Sequence, residues 1–152
     1  MASSAQAIPI DWSVQTVTVG GITLPVARLL VSPCFPLIGS GHISLPELCW
    51  LDTGAPISVI PFHIHHQRLF WQALGIQATW FGRICDLGRI ETWFSAGPGL
   101  PMAGPFGMFA KFPQSDPAGD PLPILMGLEF FFAHQAHLTI PPPPGKGSIQ
   151  LP

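Results

Sequence analysis

Charged side chains are scarce in this chain of 152 residues, since Asp, Glu, Lys and Arg together make up 9 % of it. Only six residues are Lys or Arg, and they are scattered along the sequence instead of forming a basic stretch. Nucleic-acid binding relies on clustered basic side chains that neutralise phosphates. The sequence therefore argues against a nucleic-acid partner.

The chain also lacks a hydrophobic run long enough to cross a bilayer. The longest strongly apolar stretch, residues 122–133, is shorter than the roughly 20 residues of a transmembrane helix and contains Glu129. No basic segment followed by an apolar one marks a secretory signal. Cys34, Cys49 and Cys85 are odd in number and show no Cys-X-X-Cys spacing, which favours reduced, buried thiols. We expect no membrane partner and a cytoplasmic location.

Apolar residues are plentiful, at 47 % of the chain, and 19 Pro and 16 Gly interrupt them. A disordered chain would combine low hydrophobicity with high net charge, whereas this one has a formal net charge of only −2. The composition therefore indicates a folded, loop-rich, all-β protein. The length predicts a single domain over residues 1–152, with a core of about 12–151 and a flexible segment at 1–11.

Short segments separated by turn residues follow one another along the chain. Alternating residues on both sides of Gly20-Gly21 predict a β-hairpin, and residues 62–74, after Pro61, predict a helix that Gly75 ends. The other predicted elements are strands at 43–51, 108–112 and 122–126, a hairpin at 76–94 with its turn near 86–88, a helix to about 134, and a terminal hairpin at 137–151 that includes the prolines at 141–144. These elements predict a β domain with one or two short helices.

One acidic residue stands inside an apolar segment. Asp52 lies within the sequence LCWLDTGAPISVIP, behind an apolar strand. Gly54 allows the chain to turn sharply and to approach another backbone, and the Thr53 hydroxyl can hydrogen-bond its own loop or a neighbouring one. Because burial disfavours an isolated carboxylate, Asp52 needs a compensating partner.

The segment Asp52-Thr53-Gly54-Ala55, followed by Ser58, Val59 and Ile60, resembles the active-site motif of the aspartic proteases. The Ala after the Gly and the single short chain resemble the retropepsin-like branch, which includes retroviral proteases and their cellular and bacterial relatives. The resemblance implies a closed β-barrel that is active as a homodimer. It also implies an aspartic endopeptidase, a hydrolase of peptide or protein substrates that uses neither a cofactor nor a metal.

A second segment, residues 122–131, is similar to the late segment of that family, in which an apolar strand meets a Gly and then a short helix. In the family this strand lies beside the Asp loop and the Gly allows a close approach, and Gly127 is the position that carries over. Residues 76–94 correspond in order to the flap, the hairpin that closes over bound peptide. The resemblance covers about residues 17–151.

The sequence also departs from the family at Met126, which interrupts the usual hydrophobic-hydrophobic-Gly run, and at four further positions. Pro56 and Ile57 stand where retroviral members carry acids, and Leu128 and Glu129 follow Gly127 where Gly-Arg-Asp or Gly-Arg-Asn is commoner. The resemblance therefore does not extend to the peptide contacts and inter-subunit ion pairs that those acids make.

The family mechanism requires two carboxyl groups. When they lie about 3 Å apart they share one proton, so that one takes a proton from water while the other donates to the scissile carbonyl oxygen. None of the other acidic residues, out of eight in all, has the sequence context of Asp52. We therefore expect the second carboxyl group to be Asp52 of another copy, across a two-fold axis.

The resemblance assigns a role to each residue of the predicted site. Asp52 is catalytic, and Thr53, Gly54 and Gly127 support the active-site loop, with Thr53 bonded across the dimer. The predicted substrate contacts are Gly54, Ala55, Ile57 and, in the flap, Phe81, Gly82 and Arg83.

Other interpretations stay open at this point. His63, His65 and His66 could bind a metal, but no Cys or carboxylate in that segment completes a site, which favours a polar helix face. Two further functions are a catalytically silent retropepsin-like module that dimerises or binds peptide, and an unrelated all-β binding protein that matches the motif by chance.

Overall fold

A computed structural model describes residues 6–119, 121–140 and 146–152. The helices are α1 (Phe62–His65) and α2 (Leu128–His134). The strands are β1 (Gln6–Val19), β2 (Ile22–Val31), β3 (Pro33–Cys34), β4 (Cys49–Leu51), β5 (Ser58–Val59), β6 (Gln72–Trp80), β7 (Arg83–Phe94), β8 (Ala103–Pro113), β9 (Ile124–Met126), β10 (His137–Thr139) and β11 (Gly147–Leu151). The prediction of a mainly β chain with one or two short helices is confirmed. Within these ranges, no helix combines the length and the apolar character that crossing a membrane requires.

The strands join in the order β10-β11-β1-β2-β4-β9-β5-β8-β7-β3, and β6 pairs with β7. Most neighbours are antiparallel, but β4 runs parallel to β9 and β5 runs parallel to β8. In the part of the chain that the structure describes, β10 and β3 form the two ends of this order and do not pair with each other. These pairings therefore do not close the sheet into a barrel.

The core is built from side chains that alternate along the longer strands. In β7 the buried residues include Ile90, Thr92 and Phe94, with more exposed residues between them, as expected when one face of a strand is packed. Phe112 and Phe130 join Phe94 among the largest fully buried side chains. The main core thus connects β7, β8 and α2.

The start of the chain is more ordered than its sequence indicated. The expected flexible segment does not hold for residues 6–11, because β1 begins at Gln6 and pairs with β11 in register Gln6↔Leu151 to Ile10↔Gly147. Ile8 and Ile10 are fully buried in this position. The first five residues lie outside the described ranges.

The predicted helix over residues 62–74 is wrong beyond its first turn. α1 ends at His65, Gln67 adopts a left-handed φ of 54°, and β6 begins at Gln72. Trp71 then stacks on Phe112, with ring centres 3.9 Å apart. Tertiary packing of this aromatic pair has overridden the local helical pattern.

The turn of the next hairpin also lies elsewhere than predicted. β6 and β7 are joined by Phe81 and Gly82, which have φ values of 47° and 71° and form a two-residue turn. Gly88, predicted near the turn, lies inside β7, where an added Cβ would come within 2.5 Å of the Trp71 ring. Gly88 therefore allows close packing against the Trp71 ring and does not reverse the chain.

Several other element predictions are confirmed. Gly20 and Gly21 join β1 to β2, and β9 leads into Gly127 and then α2, which ends at His134. β10 and β11 form the terminal hairpin. The predicted strand over 43–51 is shortened to β4, and the prolines at 141–144 lie outside the described residues.

Candidate functional site

Asp52 is the first residue after β4 and begins a tight loop. Its N–H donates to the carbonyl oxygen of Met126 at 2.9 Å, and its own carbonyl oxygen accepts from the Ala55 N–H at 3.1 Å. The Gly54 N–H donates to Asp52 Oδ1 at 3.0 Å. The backbone therefore orients one carboxyl oxygen of a half-exposed side chain and leaves the other without a partner from this loop.

Strand β9 lies between the two strands that flank this loop. It pairs in parallel with β4, in register Leu51↔Met126, and antiparallel with β5, in register Val59↔Leu125. β4 and β5 are thus held on opposite sides of one central strand, although they are separated by only the Asp52 loop in sequence. The loop is fixed at both of its ends.

Gly127 brings the end of β9 against the Asp52 loop. A Cβ at this position would lie 2.7 Å from both the Ala55 carbonyl oxygen and the Ile57 carbonyl carbon. The next two residues complete the contact, since the Leu128 N–H donates to the Ala55 carbonyl at 2.9 Å and the Glu129 N–H donates to the Pro56 carbonyl at 3.1 Å. The close approach that the late motif implied is present here, and only glycine fits it.

A buried polar chain reinforces this contact. The Gly127 N–H donates to Ser58 Oγ at 2.9 Å, and the Ser58 hydroxyl lies 2.5 Å from Glu129 Oε1. Glu129 Oε2 is buried without a hydrogen-bond partner in the described residues. Burial raises the pKa of the Glu129 carboxyl, and the bond from Ser58 partly offsets this effect. Glu129, one of the departures from the family pattern, therefore lies behind the loop and not in an open site.

The exposed side of the loop faces a cleft of about 340 Å³. Arg28 and Asp52 are the charged residues of its wall, and the Arg28 guanidinium carbon lies 3.9 Å from the centre of the Trp50 ring. The full lining is Ala27, Arg28, Leu29, Trp50, Leu51, Asp52, Thr53, Leu125 and Ile140. The cleft combines one carboxyl group and one guanidinium group with apolar side chains such as Leu51, Leu125 and Ile140.

Among residues 6–119, 121–140 and 146–152, the other carboxyl groups lie elsewhere. Glu47 is paired with Arg68 at 2.6 Å, and Glu129 is bonded to Ser58. Asp116 accepts from the N–H groups of Phe62 and His63 at the start of α1, at 2.8 and 2.9 Å. No second carboxyl group of these residues lines the Asp52 cleft.

The predicted site residues are only partly brought together. Asp52 and Thr53 line the cleft, and Gly127 supports the loop from behind. The predicted substrate residues that are not part of this lining are Gly54, Ala55, Ile57, Phe81, Gly82 and Arg83.

The hairpin tip is nevertheless linked to the cleft through packing. Trp80, next to the tip, is buried in a cluster with Val59 that also contacts Leu125, a residue of the cleft wall. Phe81 at the tip is 82 % exposed and lies edge-on to Trp80. A non-glycine residue with a positive φ is uncommon, and the Phe81 side chain on such a residue is open to contact from outside the chain.

Arg28, Trp50 and Ile140 are cleft residues that the sequence interpretation missed. The available signal was the single charge in the apolar strand ITLPVARLLV. What the sequence does not contain is the pairing of β2 with β4, which brings Arg28 and Trp50 together.

The histidine cluster is dispersed by the fold. His65 is buried, its Nε2 lies 2.9 Å from the Pro113 carbonyl oxygen, and burial lowers its pKa. His63 Nδ1 instead lies 2.7 Å from Asp116 Oδ2. In the described part of the chain, no three His, Cys, Asp or Glu side chains are grouped as metal ligands would be. All three cysteines are free and buried, and burial raises the pKa of each thiol.

Comparison with models of protein families, with curated proteins and with solved structures found no match. A function has to be inferred from the Asp52 loop, the strand between its two flanks and the single carboxyl group of the cleft.

Proposed function

We propose that this chain is a retropepsin-like aspartic endopeptidase that hydrolyses peptide bonds as a homodimer. The observation that carries the proposal is Asp52, a half-exposed carboxyl group oriented by the Gly54 N–H in a cleft. Its loop is held by β9 and Gly127 in the arrangement that the two sequence motifs imply. The retropepsin-like barrel and the two-fold axis belong to the proposal.

In the proposed dimer, the two Asp52 carboxyl groups share one proton across the two-fold axis. The ionised group accepts a proton from a water molecule as the water oxygen attacks the scissile carbonyl carbon, and the protonated group donates to the carbonyl oxygen, which gives a tetrahedral diol. The diol then collapses: the C–N bond breaks, the group that took the proton from water passes it to the leaving nitrogen, and the other carboxylate takes back a diol proton, so that base and acid come from one pair. Because one carboxyl group of the pair must be protonated while the other is ionised, activity favours acid to near-neutral pH.

Bound peptide lies extended across the cleft and pairs with the backbone as an added strand. Gly54, Ala55 and Ile57 form the floor, and Phe81, Gly82 and Arg83 at the tip of the β6–β7 hairpin close over the peptide as a flap. Thr53 holds the two loops together. A cytoplasmic location is part of the proposal and is supported by three free cysteines.

The test uses Asp52→Asn, which keeps the side-chain shape but removes the acid and base. Purified protein is incubated with a mixed-sequence peptide library from acid to neutral pH, and products are identified by mass spectrometry. We expect wild-type cleavage that a pepstatin-type inhibitor blocks and that Asp52→Asn abolishes. Asp11→Asn, at an exposed acid of β1, is the matched control and should cleave as wild type does.

Cleavage by a folded Asp52→Asn protein would exclude the proposed mechanism. If the folded wild-type dimer binds peptides in the library but cleaves none, the silent peptide-binding module would be the better assignment. If it neither cleaves, binds peptide nor dimerises, the motif matches by chance.

A further inference from the structure

We propose that Arg28 makes the Asp52 cleft selective for peptides with an acidic side chain, Glu or Asp, next to the scissile bond. The inference rests on the proposed function and specifies its substrate class.

Arg28 reaches the cleft because of the strand register. Leu30 of β2 pairs with Trp50 of β4 in an antiparallel register. Arg28 lies two residues before Leu30, and the same register continued past β4 places it at the level of Asp52. Its guanidinium group stacks 3.9 Å above the Trp50 ring. A guanidinium group held over an aromatic face is pre-organised and loses little further freedom when it binds an anion.

The guanidinium group has no anionic partner in the described residues. The two ion pairs found there join His63 to Asp116 and Arg68 to Glu47, and neither involves Arg28. Arg28 Nε is buried and makes no hydrogen bond to those residues. A half-buried cation without an anionic partner is costly, and a ligand carboxylate that binds the terminal nitrogens of the guanidinium group would relieve that cost.

The charge of the proposed two-copy site points the same way. Two Asp52 carboxyl groups that share a proton carry one negative charge, whereas two Arg28 side chains carry two positive charges. The site therefore has an excess of positive charge before substrate binds. An anionic substrate side chain would balance it.

The surroundings of Arg28 favour a peptide carboxylate over a free inorganic anion. Leu29, Trp50 and Leu125 contribute apolar surface to the cleft, against which the methylene groups of a Glu side chain can pack. The planar fork of the guanidinium group matches the two oxygens of a carboxylate. The same peptide must also extend past Asp52 for cleavage.

The experiment compares peptides that differ only by Glu or Gln next to the cleaved bond. For wild-type protein we expect kcat/KM to be on the order of tenfold higher for the Glu peptide, the size of effect typical of a charge-assisted hydrogen bond. Arg28→Gln should remove this preference, and Arg28→Lys should restore part of it. Lys146→Gln removes an exposed cation away from the Asp52 cleft and should leave the preference unchanged.

Sedimentation and circular dichroism of each variant accompany the kinetics. Equal cleavage of both peptides by wild type would overturn this inference and leave the peptidase intact. A weaker dimer in Arg28→Gln with an unchanged Glu preference would mean that Arg28 bonds the second copy instead, which also overturns it. Cleavage of no peptide at all would refute the proposed function itself.

Discussion

At the scale of single residues, the carboxyl groups on the two sides of the Asp52 loop have opposite surroundings. Asp52 is half exposed in the cleft and accepts a backbone N–H, whereas Glu129 lies behind the loop with one oxygen unbonded. The difference in exposure therefore gives the two carboxyl groups different roles. The Asp52 carboxyl is accessible for chemistry, and the Glu129 carboxyl fastens α2 to Ser58.

Glu129 should make stability fall as the pH rises. Because burial raises its pKa above the ordinary value, the folded state binds the proton more tightly than the unfolded state. The stabilisation is complete below the ordinary pKa and is lost as the pH rises through the raised one. We expect Glu129→Gln, which cannot ionise, to reduce this loss in urea denaturation measured across that range.

The matched control for this prediction is Glu91→Gln, because Glu91 is an exposed acid on β7. It should show the wild-type dependence of the free energy of unfolding on pH. If Glu129→Gln and wild type lose stability in parallel across the window, the buried carboxyl is not the responsible group.

At the scale of elements, the position of β9 depends on a single glycine. An added methyl group at Gly127 would meet two backbone atoms of the Asp52 loop at 2.7 Å, and backbone cannot rotate away as a side chain can. We expect Gly127→Ala to lower the free energy of unfolding by about 1–3 kcal/mol, the usual cost of overpacking. It should also reduce peptide cleavage strongly, because the displaced loop carries Asp52.

Gly107→Ala is the comparison for that substitution. The three atoms nearest to an added Cβ at Gly107 all belong to the guanidinium group of Arg89, the first at 2.8 Å, and this flexible side chain can move. Denaturation midpoints and cleavage rates should stay near those of wild type. Equal damage from the two alanines would mean that the close approach to the loop is not what matters.

Elements whose signals are local could be predicted from the sequence, and those decided by distant packing could not. The Gly20-Gly21 hairpin needs only its own turn, and it was located correctly. The prediction that α1 continues to residue 74 is wrong because Trp71 stacks on Phe112, some forty positions away in the chain. The prediction of a turn near Gly88 is wrong because this glycine allows close packing against the Trp71 ring and does not reverse the chain.

At the scale of the whole molecule, the site is assembled from four separate parts of the chain. The motifs indicated Asp52 and the approach of Gly127, because each lies in a continuous segment with its own pattern. Arg28, Trp50 and Ile140 reach the same cleft from β2, from β4 and from the residue after β10. No local pattern encodes that meeting, since it depends on which strands become neighbours.

Among the residues that the structure describes, Asp52 is the one carboxyl group that lines the cleft. The proposed mechanism therefore predicts that activity depends on pairing of chains. Diluted protein should lose specific activity as it dissociates, in parallel with the monomer fraction measured by sedimentation. Excess Asp52→Asn chains, allowed to exchange with wild type, should suppress cleavage, because mixed dimers contain only one catalytic acid. Excess Asp11→Asn should not suppress it.

A specific activity that stays constant from a measured dimer to a measured monomer would contradict a shared site. So would full activity of wild-type chains in the presence of a large excess of exchanged Asp52→Asn chains.

The insertion of β9 between β4 and β5 also affects the order in which the contacts of the Asp52 loop can form. Ser58 and Glu129, which fasten the Asp52 loop, are 71 residues apart. Contacts of such high sequence separation form late, because the entropy cost of closing a long loop comes before the contacts stabilise the fold. During synthesis the Asp52 segment leaves the ribosome well before Gly127 and Glu129, which hold its loop, have been made. A growing chain therefore carries Asp52 before the cleft can form. The contacts that hold the Asp52 loop can therefore form only after Gly127 and Glu129 have been made.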